Sequence, residues 1–191
     1  MILVITGNGK GKTTSALGTA LRALGWGKKV GIVFFDKGGS HYGEQNIFEF
    51  LQEKKSNSRF KFEDSKLNLF NIEIFRFGLE RFSAQSKTFR FENTYNDKEE
   101  ASLALEKVHT LYKDNYFLIV CDEIINCMNL DLIDELSVQN LINQCPSNTH
   151  LVLTGRNAPD WLIEKADLVS DVQEIKHYFK NGQDAIEGID Y

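Results

Sequence analysis

Apolar residues along this chain come in short unbroken runs, each closed by a polar or glycine-rich stretch. Between the runs, apolar residues return at helical spacing. Met1-Ile2-Leu3-Val4-Ile5 opens the series and predicts a strand. Ala16, Leu17, Ala20, Leu21, Ala23 and Leu24 predict a helix from about Lys12 to Leu24, closing at Gly25 or Gly27, where glycine can take the left-handed turn. Val30-Gly31-Ile32-Val33-Phe34-Phe35 has no polar break, the pattern of a strand covered on both faces. Glu44 to Leu51 reads as a short helix with Ile47, Phe48 and Leu51 along one side. Lys54 to Leu69 is polar and yields no element. Asn71 to Phe77 alternates with period two, so it is a strand with one face partly wet. Asp97 to Lys113 predicts a helix, acidic at its start and basic at its end, with Ala104, Leu105, Val108 and Leu111 as its apolar stripe.

Tyr116-Phe117-Leu118-Ile119-Val120-Cys121 is another buried-type strand and runs straight into Asp122-Glu123. Val138 to Cys145 is helical and His150 to Thr154 a strand. A turn over Gly155-Arg156-Asn157-Ala158-Pro159 then starts a helix from Asp160 to Ala166, and Leu168 to Val172 is the last strand. Strands alternating with helices give an α/β fold: a mostly parallel sheet with helices on both faces. At 191 residues, without an internal repeat, residues 1–191 form one domain. Phe82 to Thr94 resists this reading, because Phe82, Phe89 and Phe91 lie among polar residues with no period. A long irregular stretch in a compact domain is commonly functional, so it is a candidate lid or substrate wall.

The first run leads into Thr6-Gly7-Asn8-Gly9-Lys10-Gly11-Lys12-Thr13-Thr14. Strand, glycine-rich turn, lysine, hydroxyl and helix follow in the order of a phosphate-binding loop. Glycines let several backbone N–H groups point inward, and the new helix adds its positive end. Lys12 can reach phosphate oxygens and the Thr13 hydroxyl can ligate magnesium. The usual pattern is G-x-x-x-x-G-K-[ST]; Thr6 holds its first position, and Gly7, one place along, can supply the tight turn. Asp122 and Glu123, at the end of an apolar strand, are the carboxylates of such a site, one of which positions the metal or its water shell. Lys37 follows a strand of the same sheet and is placed to see the nucleotide or its co-substrate. Arg156 can meet a phosphate oxygen or clamp a carboxylate. His177 can cap a surface turn or touch substrate.

A net charge of −5 argues against nucleic acid as a main partner. Lys54, Lys55, Arg59, Lys61 and Lys66 are interrupted by Glu63 and Asp64 and read as a solvated loop. Cys121, Cys127 and Cys145 form no C-x-x-C pair and no Cys/His spacing suited to zinc, and so odd and sparse a count suggests reduced thiols in the cytoplasm. The five-residue apolar start does not read as a secretory signal, and no stretch approaches membrane-spanning length. The expectation is a soluble, cytoplasmic protein.

Several blocks match one family in order: Gly7 to Thr14 followed by Ser15-Ala16-Leu17-Gly18; Lys37-Gly38 and Gly43-Glu44; Asp122-Glu123-Ile124; Leu153-Thr154-Gly155-Arg156 with Ala158-Pro159; Ala166-Asp167-Leu168-Val169; and a tail with Lys176-His177, Phe179, Gly182, Ala185 and Gly188-Ile189-Asp190. Over nearly its whole length the chain resembles the phosphate-loop type of ATP:corrinoid adenosyltransferase. The resemblance implies a P-loop NTPase-like (RecA-like) fold and a substitution at the ribose 5′-carbon of ATP, in which a cobalt(I) corrinoid attacks and inorganic triphosphate departs. It implies Gly7, Asn8, Gly9, Lys10, Gly11, Lys12, Thr13, Thr14, Lys37 and Arg156 on the ATP side and Phe82 on the corrinoid side. Thr13 with Asp122 or Glu123 would hold Mg²⁺, and Lys12 and Glu123 are the candidate catalytic groups. It also implies a homodimer and a flavoprotein electron donor.

Two departures stand out. Family members carry Gly-Phe-Thr-Trp, whose aromatics wall the cobalt; here the stretch is Arg81-Phe82-Ser83-Ala84, with Phe89 or Phe91 near in sequence to fill the gap. The family's asparagine two places after the glutamate falls on Ile125, with Asn126 one step late. The residues leave open a triphosphatase or kinase cleaving at the γ-phosphate, and an ATP-binding module without turnover.

Overall fold

The computed structural model describes residues 1–39, 42–54, 71–83, 88–90 and 92–190. The basic residues Lys55, Arg59, Lys61 and Lys66, and also Ala84 and Phe91, lie outside the described residues. So does the rest of the polar stretch up to Leu69.

Among the described residues six strands form one sheet: β1 (Ile2–Thr6), β2 (Val30–Phe34), β3 (Ile72–Arg76), β6 (Leu118–Asp122), β7 (His150–Thr154) and β8 (Leu168–Asp171). Their order across the sheet is β3-β2-β6-β7-β1-β8, and every pairing is parallel. Among the described residues this sheet is parallel throughout, in keeping with the expected α/β fold. An antiparallel pair stands apart from it, β4 (Phe82–Ser83) against β5 (Thr88–Phe89), with Phe82 opposite Phe89. This short ribbon lies inside the segment that showed no period, since two residues per strand are too few to display one.

Both faces of the sheet are covered, and the strands show it residue by residue. In β6, Leu118 and Val120 pack with α1 (Lys12–Gly25) through Ala16, Leu17, Ala20 and Leu24. Ile119 and Cys121 point the other way, into a cluster with four helices. These are α3 (Tyr95–Leu111), α4 (Ile124–Asn129), α5 (Glu135–Asn143) and α6 (Asp160–Lys165). Period-two alternation between two apolar layers produces the unbroken runs seen in the sequence. The remaining helix, α2 (Gly43–Lys54), follows β2.

Where boundaries differ from the pattern, local hydrogen bonds set them. Helix α3 starts at Tyr95, two residues before the expected Asp97, because Thr94 and Asp97 form a reciprocal capping box. Its end tightens into a 3₁₀ turn over residues 112–114. Helix α5 begins at Glu135 rather than Val138, since Asp134 caps it by accepting from the Ser137 N–H at 2.7 Å. Strand β6 starts at Leu118, and Asp122 is its last residue rather than the first after it. Helix α4 had no counterpart in the pattern; six residues after Asp122-Glu123 are too few to show a helical period, and the left-handed backbone of Glu123 (φ 65°) starts the helix.

Ile119 lies in the centre of the sheet with no exposed surface, opposite Gly31 on one side and Leu151 on the other. Ile119→Ala is expected to cost about 2–5 kcal/mol, measured by urea unfolding, with an unchanged slope against denaturant.

Candidate active site at the phosphate loop

The carboxyl ends of β1, β2, β6 and β7 meet at one corner of the sheet, where open α/β sheets bind ligands. From β1 the chain enters the glycine-rich loop. Gly7 has φ 103°, and a Cβ there would lie 2.3 Å from Asp171 Oδ1 and 2.4 Å from the Val172 carbonyl, so only glycine fits. The Gly9 N–H donates to the Val172 carbonyl at 2.6 Å, pinning the loop to the segment after β8. No described side chain caps the first turn of α1. Its leading N–H groups are therefore left for an anion, which the helix dipole favours. Lys12 is buried and donates from Nζ to the Gly9 carbonyl at 2.8 Å, folding its ammonium back onto the loop.

Below the loop, Asp122 has no exposed surface, and a carboxylate so placed needs partners. It has three. Thr154, ending β7, donates from Oγ1 to Asp122 Oδ1 at 2.7 Å, and Thr13 donates to Oδ2 at 3.1 Å. The Lys37 ammonium, arriving from the loop after β2, lies 2.6 Å from Oδ2 and 3.1 Å from Thr13 Oγ1. Burial alone would lower the Lys37 pKa, but the Asp122 charge and hydrogen bond, aided by Glu123 and Glu44, outweigh it and raise it. For Glu123 the same burial favours the neutral form. Burial raises its pKa above the ordinary 4.5 and the Asp122 charge adds to this, with Lys37, Lys12 and Arg156 offsetting part. Burial, then the charge of Arg156, lowers Lys12.

These groups border a cleft of about 960 Å³, lined also by Leu17, Leu21, Tyr42, Ile47, His177 and Ile189. The carboxyl-terminal tail closes one side. Lys10 Nζ lies 2.7 Å from Asp190 Oδ1, while Asp190 Oδ2 accepts from the Tyr178 hydroxyl and from the Ile186 N–H.

Comparison with known proteins agrees with this geometry. The family model described as ATP:corrinoid adenosyltransferase BtuR/CobO/CobP matches residues 1–191. The chain is 31% identical to the corrinoid adenosyltransferase of Escherichia coli (strain K12) over 194 residues, covering 100% of this chain and 85% of that protein. The corrinoid adenosyltransferase CobA of Salmonella typhimurium (strain LT2) gives 31% over 194 residues, with the same coverage. That of Sinorhizobium sp. gives 32% over 193 residues, 100% of this chain and 80% of the relative. The chain belongs to the ATP:corrinoid adenosyltransferase family.

For this adenosyltransferase-family chain, the residues singled out on the ATP side come together: Asn8 to Thr14, Lys37, Glu123 and Arg156 all line the cleft, with Asp122 beneath. Lys10 is the partial exception, since its ammonium is engaged by Asp190 and only its backbone serves the loop. Arg156 has its N–H held by Asn126 Oδ1 at 2.7 Å and its carbonyl by Asn129 Nδ2 at 2.7 Å. Its positive charge acts across the cleft on Lys12, Glu123 and Glu174. His177 caps the 3₁₀ turn after it, accepting from the Phe179 N–H at 3.2 Å, and also lines the cleft. For Phe82 the backbone is described, in β4; its side chain is not.

Sequence reasoning missed Thr154, the bridge between the two carboxylate-bearing residues: it also accepts from the Glu123 N–H at 2.9 Å. The available signal was a hydroxyl ending an apolar strand. Asn126, one step beyond the family's asparagine, donates from the first turn of α4 to the Glu123 carboxylate.

Because folding raises the Glu123 pKa, its ionisation destabilises the fold. That stability is complete below about pH 4.5 and is lost as pH rises through the folded value. Glu123→Gln should therefore raise the melting temperature at pH 7 relative to the parent chain. The gain should shrink as pH falls through the raised folded value and be gone below about pH 4.5; a difference independent of pH would refute the assignment.

Proposed function

We propose that the chain transfers the 5′-deoxyadenosyl group of ATP to a reduced cobalt(I) corrinoid and releases inorganic triphosphate. The observation that carries this reading is the joining, at one cleft, of an uncapped helix N-terminus behind the phosphate loop with the buried Asp122–Lys37–Thr13 set. A pair of electrons on cobalt forms the bond to the ribose 5′-carbon, the bond from that carbon to the triphosphate oxygen breaks, and its electrons leave with the triphosphate. Charge grows on the departing group. The loop N–H groups, Lys12 and Arg156 are the donors fixed in advance to receive it, and such preorganised charge is worth most away from bulk water. No proton moves, so the site needs no general base.

The Thr13 hydroxyl and the Asp122 carboxylate are hard oxygen donors 3.1 Å apart, and the Lys37 ammonium within reach of both marks the corner as one that favours a cation. Mg²⁺ suits them: Thr13 with Asp122 or Glu123 would hold it, and it would neutralise phosphate oxygens as the triphosphate leaves. Among the described residues no three His, Cys, Asp or Glu side chains gather into a metal cage. The usual magnesium arrangement, one or two protein oxygens completed by phosphates and waters, is the one that fits. A homodimer, a flavoprotein as electron donor to cobalt and a cytoplasmic setting complete the reading. No helix among the described residues is long and apolar enough to cross a membrane.

The test is anaerobic incubation with Mg-ATP and a chemically reduced corrinoid. The light-sensitive alkylcobalt spectrum should appear with triphosphate in equal amount. ADP without an alkylcobalt product would instead make the chain a nucleotidase or kinase, and ATP binding without any product a non-catalytic module. Lys12→Ala should remove nucleotide binding or turnover.

A further inference from the structure

The corner between Thr13 and Asp122 holds a cation of the chain's own. Lys37 Nζ lies 2.6 Å from Asp122 Oδ2 and 3.1 Å from Thr13 Oγ1, and those two oxygens are themselves 3.1 Å apart. Neighbouring oxygens around Mg²⁺, each about 2.0–2.1 Å from the ion, stand roughly 3 Å apart, so the pair that suits the metal is the pair the ammonium touches. One carboxylate oxygen cannot serve both at such range. A divalent ion and an ammonium repel, and Asp122, with no exposed surface, has little solvent to screen them. Lys37 is thus a competitor for the corner as well as the partner of its carboxylate.

The backbone around Lys37 is held, while its side chain has somewhere to go. Its N–H donates to the Phe77 carbonyl at 3.1 Å. On either side the chain crosses residues 78–80 at backbone contact: a Cβ on Gly78 would come within 2.6 Å of Asp36 Cα, and one on Gly38 within 2.3 Å of the Leu79 carbonyl carbon. Movement is left to the flexible four-carbon stem and the compact charge it carries. Groups that attract an ammonium surround it. Glu44 Oε1, in the first turn of α2, is 3.8 Å from Nζ. The Tyr42 and Phe34 ring centroids are 5.1 and 5.4 Å away, within the range at which aromatic faces attract a cation. Tyr42 and Glu44 border the cleft, and Asp122 lies beneath it. A shift of Nζ from Asp122 toward Glu44 therefore carries the charge to the side from which a triphosphate arrives.

We infer that Lys37 is a tethered cation that holds the Thr13–Asp122 corner until a nucleotide brings its metal, then passes to Glu44 and the phosphate oxygens, so that the chain takes up Mg²⁺ with the nucleotide and not before it. Charge balance supports that order. Asp122 with Lys37 is neutral, and exchanging the ammonium for a divalent ion leaves an excess of positive charge that the phosphates offset. The magnesium in this inference rests on the function proposed above; the competition for Asp122 is tested without any turnover.

The test follows Mn²⁺ binding through the paramagnetic resonance of the free ion, and melting temperature against Mg²⁺, in the full chain without nucleotide. The parent should bind Mn²⁺ weakly and melt at a temperature that millimolar Mg²⁺ does not move. Lys37→Met keeps an unbranched stem without the charge and should bind Mn²⁺ about tenfold more tightly or better. It should melt below the parent and recover with Mg²⁺, because the ion binds the folded form. Lys37→Met combined with Asp122→Asn should lose both responses. Equal Mn²⁺ affinity in the parent and in Lys37→Met, or a response that survives Asp122→Asn, would overturn the inference. Should Lys37→Met fail to fold, Glu44→Gln decides. The ratio of ATP affinity with Mg²⁺ to that in EDTA should then fall by about threefold or more, and an unchanged ratio would overturn it. None of these readings uses a corrinoid, so the inference and the transfer reaction can fail separately.

Discussion

A carboxylate with no exposed surface imposes conditions on everything around it, and Asp122 is that group here. Removing one partner from a buried ion pair costs about 3–5 kcal/mol, whereas exposed pairs such as Lys180 with Glu174 are worth about 0–1 kcal/mol. Asp122 therefore fixes the relative placement of three elements at once: Thr154 at the end of β7, Thr13 in α1 and Lys37 in the loop after β2. The strand order explains why those partners are available. Strand β7 lies between β1 and β6, so the hydroxyl at its end falls between the phosphate loop and the carboxylates.

This arrangement makes the loop's chemistry a matter of electrostatics rather than of proton transfer. Lys12, the bare helix start and Arg156 collect positive character on the cleft side, and Asp122 with Lys37 balances charge underneath. Such a site can favour cleavage at any bond whose leaving group is a polyphosphate. What separates adenosyl transfer from phosphoryl transfer is the access given to the ribose carbon, which depends on the walls of the cleft and not on the loop. One of those walls is the tail, anchored by Asp190 on Lys10.

Much of this was legible in the sequence because each feature was local. The phosphate loop announces itself through glycines, a lysine and a hydroxyl within nine residues, and the buried strands through unbroken apolar runs. Thr154 and Asn126 stood out in the sequence only as positions beside a matched motif, since their contacts exist only once separate strands and turns are brought together. The Asp36–Arg81 contact spans 45 positions and joins two loops that have no periodicity. Helix α4 was hidden for a different reason: the left-handed turn at Glu123 is a backbone event, and its side chain gives no hint of it.

The claim on which the account turns is that the amino-terminal loop holds the triphosphate as the group to be expelled, with the sugar carbon facing outward. The most direct measurement is a crystal structure of the chain with Mg-ATP. The account predicts phosphate oxygens on the N–H groups of residues 9–14 and on Lys12, and a ribose 5′-carbon open to the cleft. Triphosphate bound away from the loop, or a ribose enclosed on all sides by protein, would contradict it.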